Sequence, residues 1–154
     1  MTLTTFYIKY SLWTAILYTL SVIVYMFFLN YMNLWLLIIG NILFSAMVLI
    51  GVFRGNHRVH DTASVRSLFM MGLKITIYGI LIATALCIIL LVINSFFNSV
   101  TASDEPAQAG RGDILFTILS QTIAVNAVLG ALAALIGATV VKRNQKSEEG
   151  KTLY

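Results

Sequence analysis

Four long apolar runs without a single charged residue constrain this chain more than any other feature. They cover residues 11–29, 34–53, 75–93 and 114–141, with lengths of 19, 20, 19 and 28 residues. An α-helix rises about 1.5 Å per residue, so about 20 residues cross the roughly 30 Å of a hydrocarbon core. Because a backbone in lipid must satisfy its own hydrogen bonds, each run is predicted to be a membrane-spanning helix.

Composition supports the same interpretation. Charged residues make up 10% of the chain and hydrophobic residues 59%, whereas soluble domains carry about 25% charged residues. So few charges cannot cover the surface of a water-soluble protein of 154 residues. We therefore predict an all-α integral membrane protein: one transmembrane domain over residues 1–154 that forms a four-helix bundle of two antiparallel hairpins. Helix 3 is predicted to begin near residue 62, ahead of its apolar run.

The placement of basic residues predicts the orientation. With four spans, the N-terminus, the second linker and the C-terminal tail share one side, and they hold nine of the ten Lys and Arg residues. The positive-inside rule then predicts that both termini are cytoplasmic. The same placement accounts for the net charge of +4 without a nucleic-acid partner. The nine are Lys9, Arg54, Arg58, Arg66, Lys74, Lys142, Arg143, Lys146 and Lys151.

Polar residues recur along helix 1 at steps of three and four. Facing lipid would leave their hydroxyls without partners, so this polar stripe is expected to face protein. It would either pack against another helix or form the wall of a polar cavity. Asn41, Gln121 and Asn126 are the strongest polar residues in the other spans, and they allow cross-helix hydrogen bonds or a place in a ligand or ion path. The polar stripe is Ser11, Thr14, Tyr18, Ser21 and Tyr25.

Small residues recur in the same way on helices 3 and 4, and each set falls within an arc of about 80°. Small side chains let two backbones approach closely in lipid. Helices 3 and 4 are therefore expected to pack against each other, or one of them against a second copy of the chain. The sets are Gly72, Thr76, Gly79, Ala83 and Cys87 on helix 3, and Thr122, Asn126, Gly130, Ala133 and Gly137 on helix 4.

Residues that could carry chemistry are sparse. No Asp, Glu, Lys, Arg or His lies in the central part of any run, which weighs against a proton-coupled carrier. His57 and His60 lie near Asp61, but a third protein ligand for a metal is not evident. We predict no catalytic, cofactor or metal site.

Basic residues also surround the start of helix 3, at the expected membrane surface. Lysine and arginine near the cytoplasmic surface attract anionic lipid headgroups. Contact with anionic lipid is therefore predicted for Arg54, Arg58, Arg66 and Lys74.

Four segments at the ends of the predicted spans carry a resemblance to a known family. Gly51-Val52-Phe53-Arg54 leaves span 2, Ser67-Leu68-Phe69-Met70-Met71-Gly72-Leu73-Lys74 leads into span 3, and Ala134-Leu135-Ile136-Gly137-Ala138 closes span 4 before Val140-Val141-Lys142-Arg143. In this layout the chain resembles a family of small bacterial four-span proteins known only as a domain of unknown function. The resemblance implies a bacterial inner-membrane setting and brings no catalytic residues.

Two kinds of function follow from these patterns. The first is a non-enzymatic polytopic membrane protein that self-associates or serves as an accessory or assembly subunit of a larger membrane complex. The alternative is a small oligomeric channel or uniporter lined by the polar stripe and by Asn41, Gln121 and Asn126. An enzyme acting on lipid is disfavoured because no acid, base or metal set is visible in the sequence.

Overall fold

The computed structural model describes residues 3–28, 34–58, 64–101 and 111–151, and these residues form four long helices. Each helix contains a segment long and apolar enough to cross a membrane. The prediction of an all-α protein with four helices of spanning length is therefore confirmed. The helices are α1 (Leu3–Ile23, continued by a π-helical turn over Val24–Phe28), α2 (Trp35–Arg58), α3 (Val65–Thr101) and α4 (Arg111–Ser120, a π-helical turn over Gln121–Val125, then Asn126–Lys151).

The helices extend beyond the charge-free runs at the ends that carry basic residues. Helix α3 begins at Val65, ten residues before its apolar run. Ser64 caps it, because the Ser67 backbone N–H donates to Ser64 Oγ over 3.2 Å and the Leu68 N–H donates to the Ser64 carbonyl over 3.0 Å. A serine at the N-cap satisfies backbone donors that have no partner within the helix. The predicted start near residue 62 lies outside the described residues.

Close contacts fix the direction of the helices within each hairpin. Gly40 of α2 lies against Ser21 of α1, and Gly51 lies against Tyr10, so residue numbers rise along one helix as they fall along the other. In the second hairpin, Gly72 lies against Ala134 and Thr76 against Gly130. Both hairpins are therefore antiparallel.

Contacts between the hairpins complete the bundle. Ser11 bonds to the Ile75 carbonyl and Thr14 lies against Gly79, so α1 and α3 are parallel. Asn41 bonds to Gln121, and Val52 lies against Gly137, so α2 and α4 are parallel. Helices α1 and α4 each pack against both α2 and α3, and α2 also packs against α3. This places α1 and α4 at opposite corners of the bundle.

Large apolar side chains lie both inside and outside this bundle. The interior also buries polar groups, and Ser11 and Asn126 are fully buried. Trp35, Phe96 and Phe116 are 70%, 73% and 72% exposed, and isoleucine and leucine side chains are exposed along all four helices. Water-soluble proteins rarely expose large contiguous apolar patches. The exterior is therefore unlike that of a soluble bundle.

Aromatic side chains from the first hairpin fill the centre. Tyr18 and Phe44 are fully buried and pack edge to face, with ring centroids 6.5 Å apart. Gly79 of α3 makes room for them, since a Cβ there would lie 3.1 Å from Phe44 Cζ and 2.6 Å from Thr14 Oγ1. A close-packed centre of this kind holds the neighbouring polar groups in fixed positions.

Candidate functional site

A layer of polar side chains crosses the middle of the bundle, at the level where α4 departs from α-helical geometry. The π-helical turn over Gln121–Val125 lies in this layer. Single π-helical turns inside longer helices are frequently found at functional sites. The polar layer, defined here as Tyr18, Asn41, Gln121, Thr122 and Asn126, is therefore the candidate site.

The Thr122 hydroxyl is the centre of the polar layer. Its Oγ1 lies 2.6 Å from the Ile118 carbonyl oxygen, 3.0 Å from the Tyr18 hydroxyl and 3.8 Å from Cys87 Sγ. A hydroxyl has one proton and a carbonyl can only accept, so Thr122 donates to Ile118 and accepts from Tyr18. Thr122 thus connects α4 to α1 and, more weakly, to α3.

The side-chain amide of Asn126 donates a hydrogen bond to a backbone carbonyl that the π-helical turn leaves without its usual N–H partner. The Asn126 backbone N–H donates to the carbonyls of Gln121 and Ile123, whereas in a regular α-helix it would donate to Thr122. Instead, the side-chain Nδ2 donates to the Thr122 carbonyl over 3.2 Å. The Asn126 Oδ1 is buried and has no hydrogen-bond partner in the described part of the chain.

Asn41 of α2 is the second buried amide of the layer. Its Nδ2 donates to Gln121 Oε1 over 2.7 Å, which joins α2 to α4. Its Oδ1, like that of Asn126, is buried without a partner among the described residues. Two buried amide oxygens are therefore able to accept hydrogen bonds from water or from a neutral polar ligand.

The chemistry that the layer offers most directly is hydrogen bonding. Its side chains are hydroxyls and amides, which donate and accept hydrogen bonds and are uncharged near neutral pH. No group of three or more His, Cys, Asp or Glu residues comes together in the part of the chain that the structure describes. Cys87 is free and buried beside Thr122. The layer can orient and hold a neutral group.

The polar stripe of α1 points into the bundle along its whole length, and all five of its residues are buried. Ser11 Oγ donates to the Ile75 carbonyl over 3.1 Å, and Thr14 Oγ1 donates back to the Ser11 carbonyl over 2.7 Å. Ser21 Oγ bonds to the Leu17 carbonyl over 3.3 Å, and Tyr25 also has a partner. Most of the stripe therefore supports helix packing, and only Tyr18 belongs to the polar layer.

The small-residue sets of α3 and α4 do not form a single shared face. Gly72 and Thr76 pack against α4, and Gly130 packs against Thr76. Gly79 instead lies against α1 and α2, and Gly137 lies against Val52 of α2. The reason is that α3 and α4 each contact more than one neighbour, so an arc of about 80° meets several helices. The remaining set members are also buried, namely Ala83, Cys87, Thr122, Asn126 and Ala133.

Basic residues collect at one end of the bundle. Lys9, Arg54, Arg66 and Lys74 are exposed there, at the start of α1, the end of α2 and the start of α3. Arg54 Nη1 donates to the Tyr10 hydroxyl over 3.4 Å, and Lys74 Nζ lies 5.4 Å from the centre of the Tyr7 ring. The side chain of Arg58 lies outside the described set.

Two features of the interior are not evident from the sequence patterns. Thr19 lies off the polar stripe but is buried, and its Oγ1 has no partner among the described residues. The α2 glycines Gly40, Gly51 and Gly55 accommodate side chains from neighbouring helices. The spacing of four between Gly51 and Gly55 is a small-residue pattern that could have indicated the second feature.

Comparison with known proteins finds no family model, no curated protein and no solved structure that matches this chain.

Proposed function

We propose that this chain is a non-enzymatic multi-pass protein of the bacterial inner membrane that self-associates or serves as an assembly or accessory subunit of a larger membrane complex. The observation that carries the membrane setting is the apolar exterior, with large hydrophobic side chains exposed along all four helices while amides and hydroxyls are buried. Lipid is the solvent that suits such an exterior on all four helices. Its acyl chains are as apolar as leucine or isoleucine, so exposing these side chains to lipid has no free-energy cost.

Charge supports an orientation with both termini in the cytoplasm. Six basic residues have described side chains: Lys9, Arg54, Arg66, Lys74, Lys142 and Arg143. These basic residues lie at the end of the bundle that contains the start of α1 and the end of α4. The positive-inside rule assigns that end to the cytoplasm.

Reporter fusions test the proposed topology. A reporter active only in the periplasm should give a signal when fused after Ala107, in the linker between α3 and α4, and no signal when fused after Tyr154. A reporter active only in the cytoplasm should give the opposite pattern. If both fusion sites gave the same signal, the four-span topology would be wrong.

The polar layer supports the non-enzymatic part of the proposal. Its donors are directed at other protein atoms: Tyr18 at Thr122, Asn41 at Gln121 and Asn126 at the Thr122 carbonyl. A hydrogen-bonded interior of this kind stabilises the arrangement of helices. The exposed apolar surface then provides contacts with other membrane proteins as well as lipid.

Association can be measured on protein extracted into lipid nanodiscs or a mild detergent. We expect a mass greater than one chain by light scattering, or a constant second component after purification under mild conditions. A single chain at all concentrations, with no retained component, would contradict this proposal.

A small channel or uniporter is the second candidate, favoured by the unpartnered oxygens of Asn41 and Asn126 beside the π-helical turn. Because these residues lie within one bundle, such a path would run through a single chain rather than between copies. Flux of water or small neutral solutes into liposomes tests this candidate. Flux that Asn126→Leu abolishes, while the exposed Val128→Leu leaves it unchanged, would favour it over the first proposal.

A further inference from the structure

The first turns of α1 form an aromatic cluster at the basic end of the bundle. Phe6 and Tyr10 are buried, with ring centroids 4.6 Å apart, and Tyr7 lies edge-on to Phe6 at 6.1 Å. Gly51 of α2 packs against Tyr10, since a Cβ there would be in van der Waals contact with the Tyr10 ring at 3.5 Å. The rings of this cluster are therefore held in place by packing on the neighbouring helices.

Two cations from neighbouring helices are attached to this cluster. The Arg54 guanidinium of α2 donates to the Tyr10 hydroxyl over 3.4 Å. The Lys74 ammonium of α3 lies over the Tyr7 ring at 5.4 Å, within the range of a cation–π contact. Both side chains are exposed, and they approach α1 from its two flanks. Most of their N–H donors remain directed to the surroundings.

Basic residues outnumber acidic residues at this end of the bundle. In the sequence, the N-terminus, the second linker and the C-terminal tail hold nine Lys and Arg residues against Asp61, Glu148 and Glu149. Lys9 adds a third exposed cation on α1 itself. The end of the bundle that contains the start of α1 therefore carries a net positive charge and is suited to an anion.

The depth of these cations indicates where that anion lies. Arg54 directly follows the charge-free run 34–53, and Lys74 directly precedes the run 75–93. In a bilayer, residues at the ends of such runs reach the phosphate level of the headgroups. Deeper in the bundle, Leu12 and Ile77 are exposed and offer apolar surface for acyl chains.

We propose that Arg54 and Lys74, positioned by Tyr10 and Tyr7, form a binding site for an anionic phospholipid of the cytoplasmic leaflet. The lipid's phosphodiester and net negative charge match the cations, and its acyl chains match the exposed apolar side chains beside α1. This site rests on the proposed membrane insertion and orientation. It deepens that proposal by naming one lipid class as a specific partner.

The test is a lipid titration of the purified full-length protein in neutral detergent, followed by thermal unfolding. Phosphatidylglycerol should raise the unfolding temperature more than phosphatidylcholine, and the difference should shrink at high salt because the cations are exposed. Arg54→Gln or Lys74→Gln should weaken phosphatidylglycerol binding about fivefold each, the equivalent of about 1 kcal/mol for the loss of one direct hydrogen bond to the phosphodiester.

The matched control is Lys142→Gln with Arg143→Gln. These residues follow the charge-free run 114–141 of α4, so they carry the same charge as Arg54 and Lys74 at the same end of the bundle. The structure shows no tyrosine contact for them in the described part of the chain. This control pair should lower affinity less than twofold, whereas Arg54→Gln with Lys74→Gln should lower it about 25-fold if the two contacts act independently.

Three outcomes would overturn this site. Equal stabilisation by phosphatidylglycerol and phosphatidylcholine would show no preference for an anionic lipid. A control pair as damaging as the Arg54 and Lys74 pair would show only general attraction to charge. Inorganic phosphate that stabilises as well as phosphatidylglycerol would show that the ligand is a soluble anion.

Reporter fusions separate a failure of this site from a failure of the proposed function. The predicted reporter pattern with no lipid preference would remove only the lipid site. A reversed reporter pattern would place Arg54 and Lys74 on the other side of the membrane. The proposed orientation and the assignment to the cytoplasmic leaflet would then both be wrong, even if phosphatidylglycerol still bound.

Discussion

The two hairpins bring their helices together in different ways. In the first, glycines of α2 receive larger side chains of α1: Gly40 lies against Ser21 and Tyr18, and Gly51 against Tyr10. In the second, small residues meet small residues, and a Cβ at Gly72 would lie 3.0 Å from Ala134 Cα. Between α1 and α2, side chains of α1 pack against glycines of α2. Between α3 and α4, Gly72 lies close to the backbone of the partner helix.

This difference predicts which contact tolerates change. A side chain that is crowded at its tip can rotate to another rotamer at modest cost. A backbone that is crowded can move only with its whole helix, and interiors are close-packed. The contact of Gly72 with the Ala134 backbone should therefore be more sensitive to added volume than the contact of Gly51 with the Tyr10 ring.

The hairpins are joined to each other by side-chain hydrogen bonds. Ser11 of α1 bonds to the Ile75 carbonyl of α3, and Asn41 of α2 bonds to Gln121 of α4. Tyr18 of α1 and Thr122 of α4 bond across the diagonal of the bundle. Close packing occurs within and between the hairpins, and these hydrogen bonds add to it between them. Both are means of association expected where lipid removes the hydrophobic driving force.

The largest effect is expected from adding volume to the second hairpin. Gly72→Leu or Gly130→Leu should destabilise the protein by about 3 kcal/mol, because each would force α3 and α4 apart. A Cβ at Gly130 would already lie 2.7 Å from Thr76 Oγ1. The measurement is unfolding of the detergent-solubilised protein.

Ala127→Leu is the control for this first prediction. Ala127 lies on the exposed face of α4, three residues before Gly130. The substitution is therefore in the same helix and adds a similar side-chain volume. It should change the free energy of unfolding by less than about 0.5 kcal/mol. If Gly72→Leu and Gly130→Leu behaved like this control, the close approach in the second hairpin would not contribute to stability.

A smaller effect separates backbone contacts from side-chain contacts. Gly72→Ala should cost about 1–2 kcal/mol, because its Cβ would meet Ala134 at the backbone. Gly55→Ala should be within about 0.5 kcal/mol of the parent, because its Cβ would meet the flexible end of Met71. Alanine also has the higher helix propensity, which offsets part of that crowding. An equal cost at both positions in thermal unfolding would argue against the distinction between backbone and side-chain contacts.

Part of this fold could be predicted from the sequence for a simple physical reason. Charge-free runs of spanning length admit only helices in lipid, so four helices follow from residues 11–29, 34–53, 75–93 and 114–141. The starts of α1 and α3 could not be placed in this way, because Lys9, Arg66 and Lys74 are helical yet lie outside or at the edge of those runs.

The candidate site was less accessible to sequence reasoning. Spacing identified Tyr18, Asn41, Gln121 and Asn126 as polar groups of the spans, but it does not say which of them meet. In the sequence, Thr122 falls in the small-residue set of helix 4. Its central position arises because its hydroxyl meets that of Tyr18, on the helix at the opposite corner of the bundle. The π-helical turn has no proline or other sequence mark, so the free Thr122 carbonyl that Asn126 occupies could not be foreseen.

The smallest effect concerns the contact across the diagonal, and a double-mutant cycle measures it. Tyr18→Phe removes the donor, while Thr122 keeps its bond to the Ile118 carbonyl. Thr122→Val removes the acceptor and leaves the Tyr18 hydroxyl buried, so it should be the costlier single change, by about 1–2 kcal/mol. The coupling between the two should be about 0.6 kcal/mol, the average for such bonds between membrane helices.

The size of that coupling decides how the hairpins are held together. Tyr18 and Thr122 are both fully buried, so neither group has water as an alternative partner in the folded state. Their coupling nevertheless stays small if the unfolded chain in detergent finds other partners for the same groups. The matched cycle on Asn41→Leu and Gln121→Leu, which breaks the bond between α2 and α4, should give a similar value. Additive effects in both cycles would mean that side-chain packing, and not hydrogen bonding, joins the two hairpins. The polar layer would then be present for a reason other than stability, which would favour the channel or uniporter over the assembly subunit.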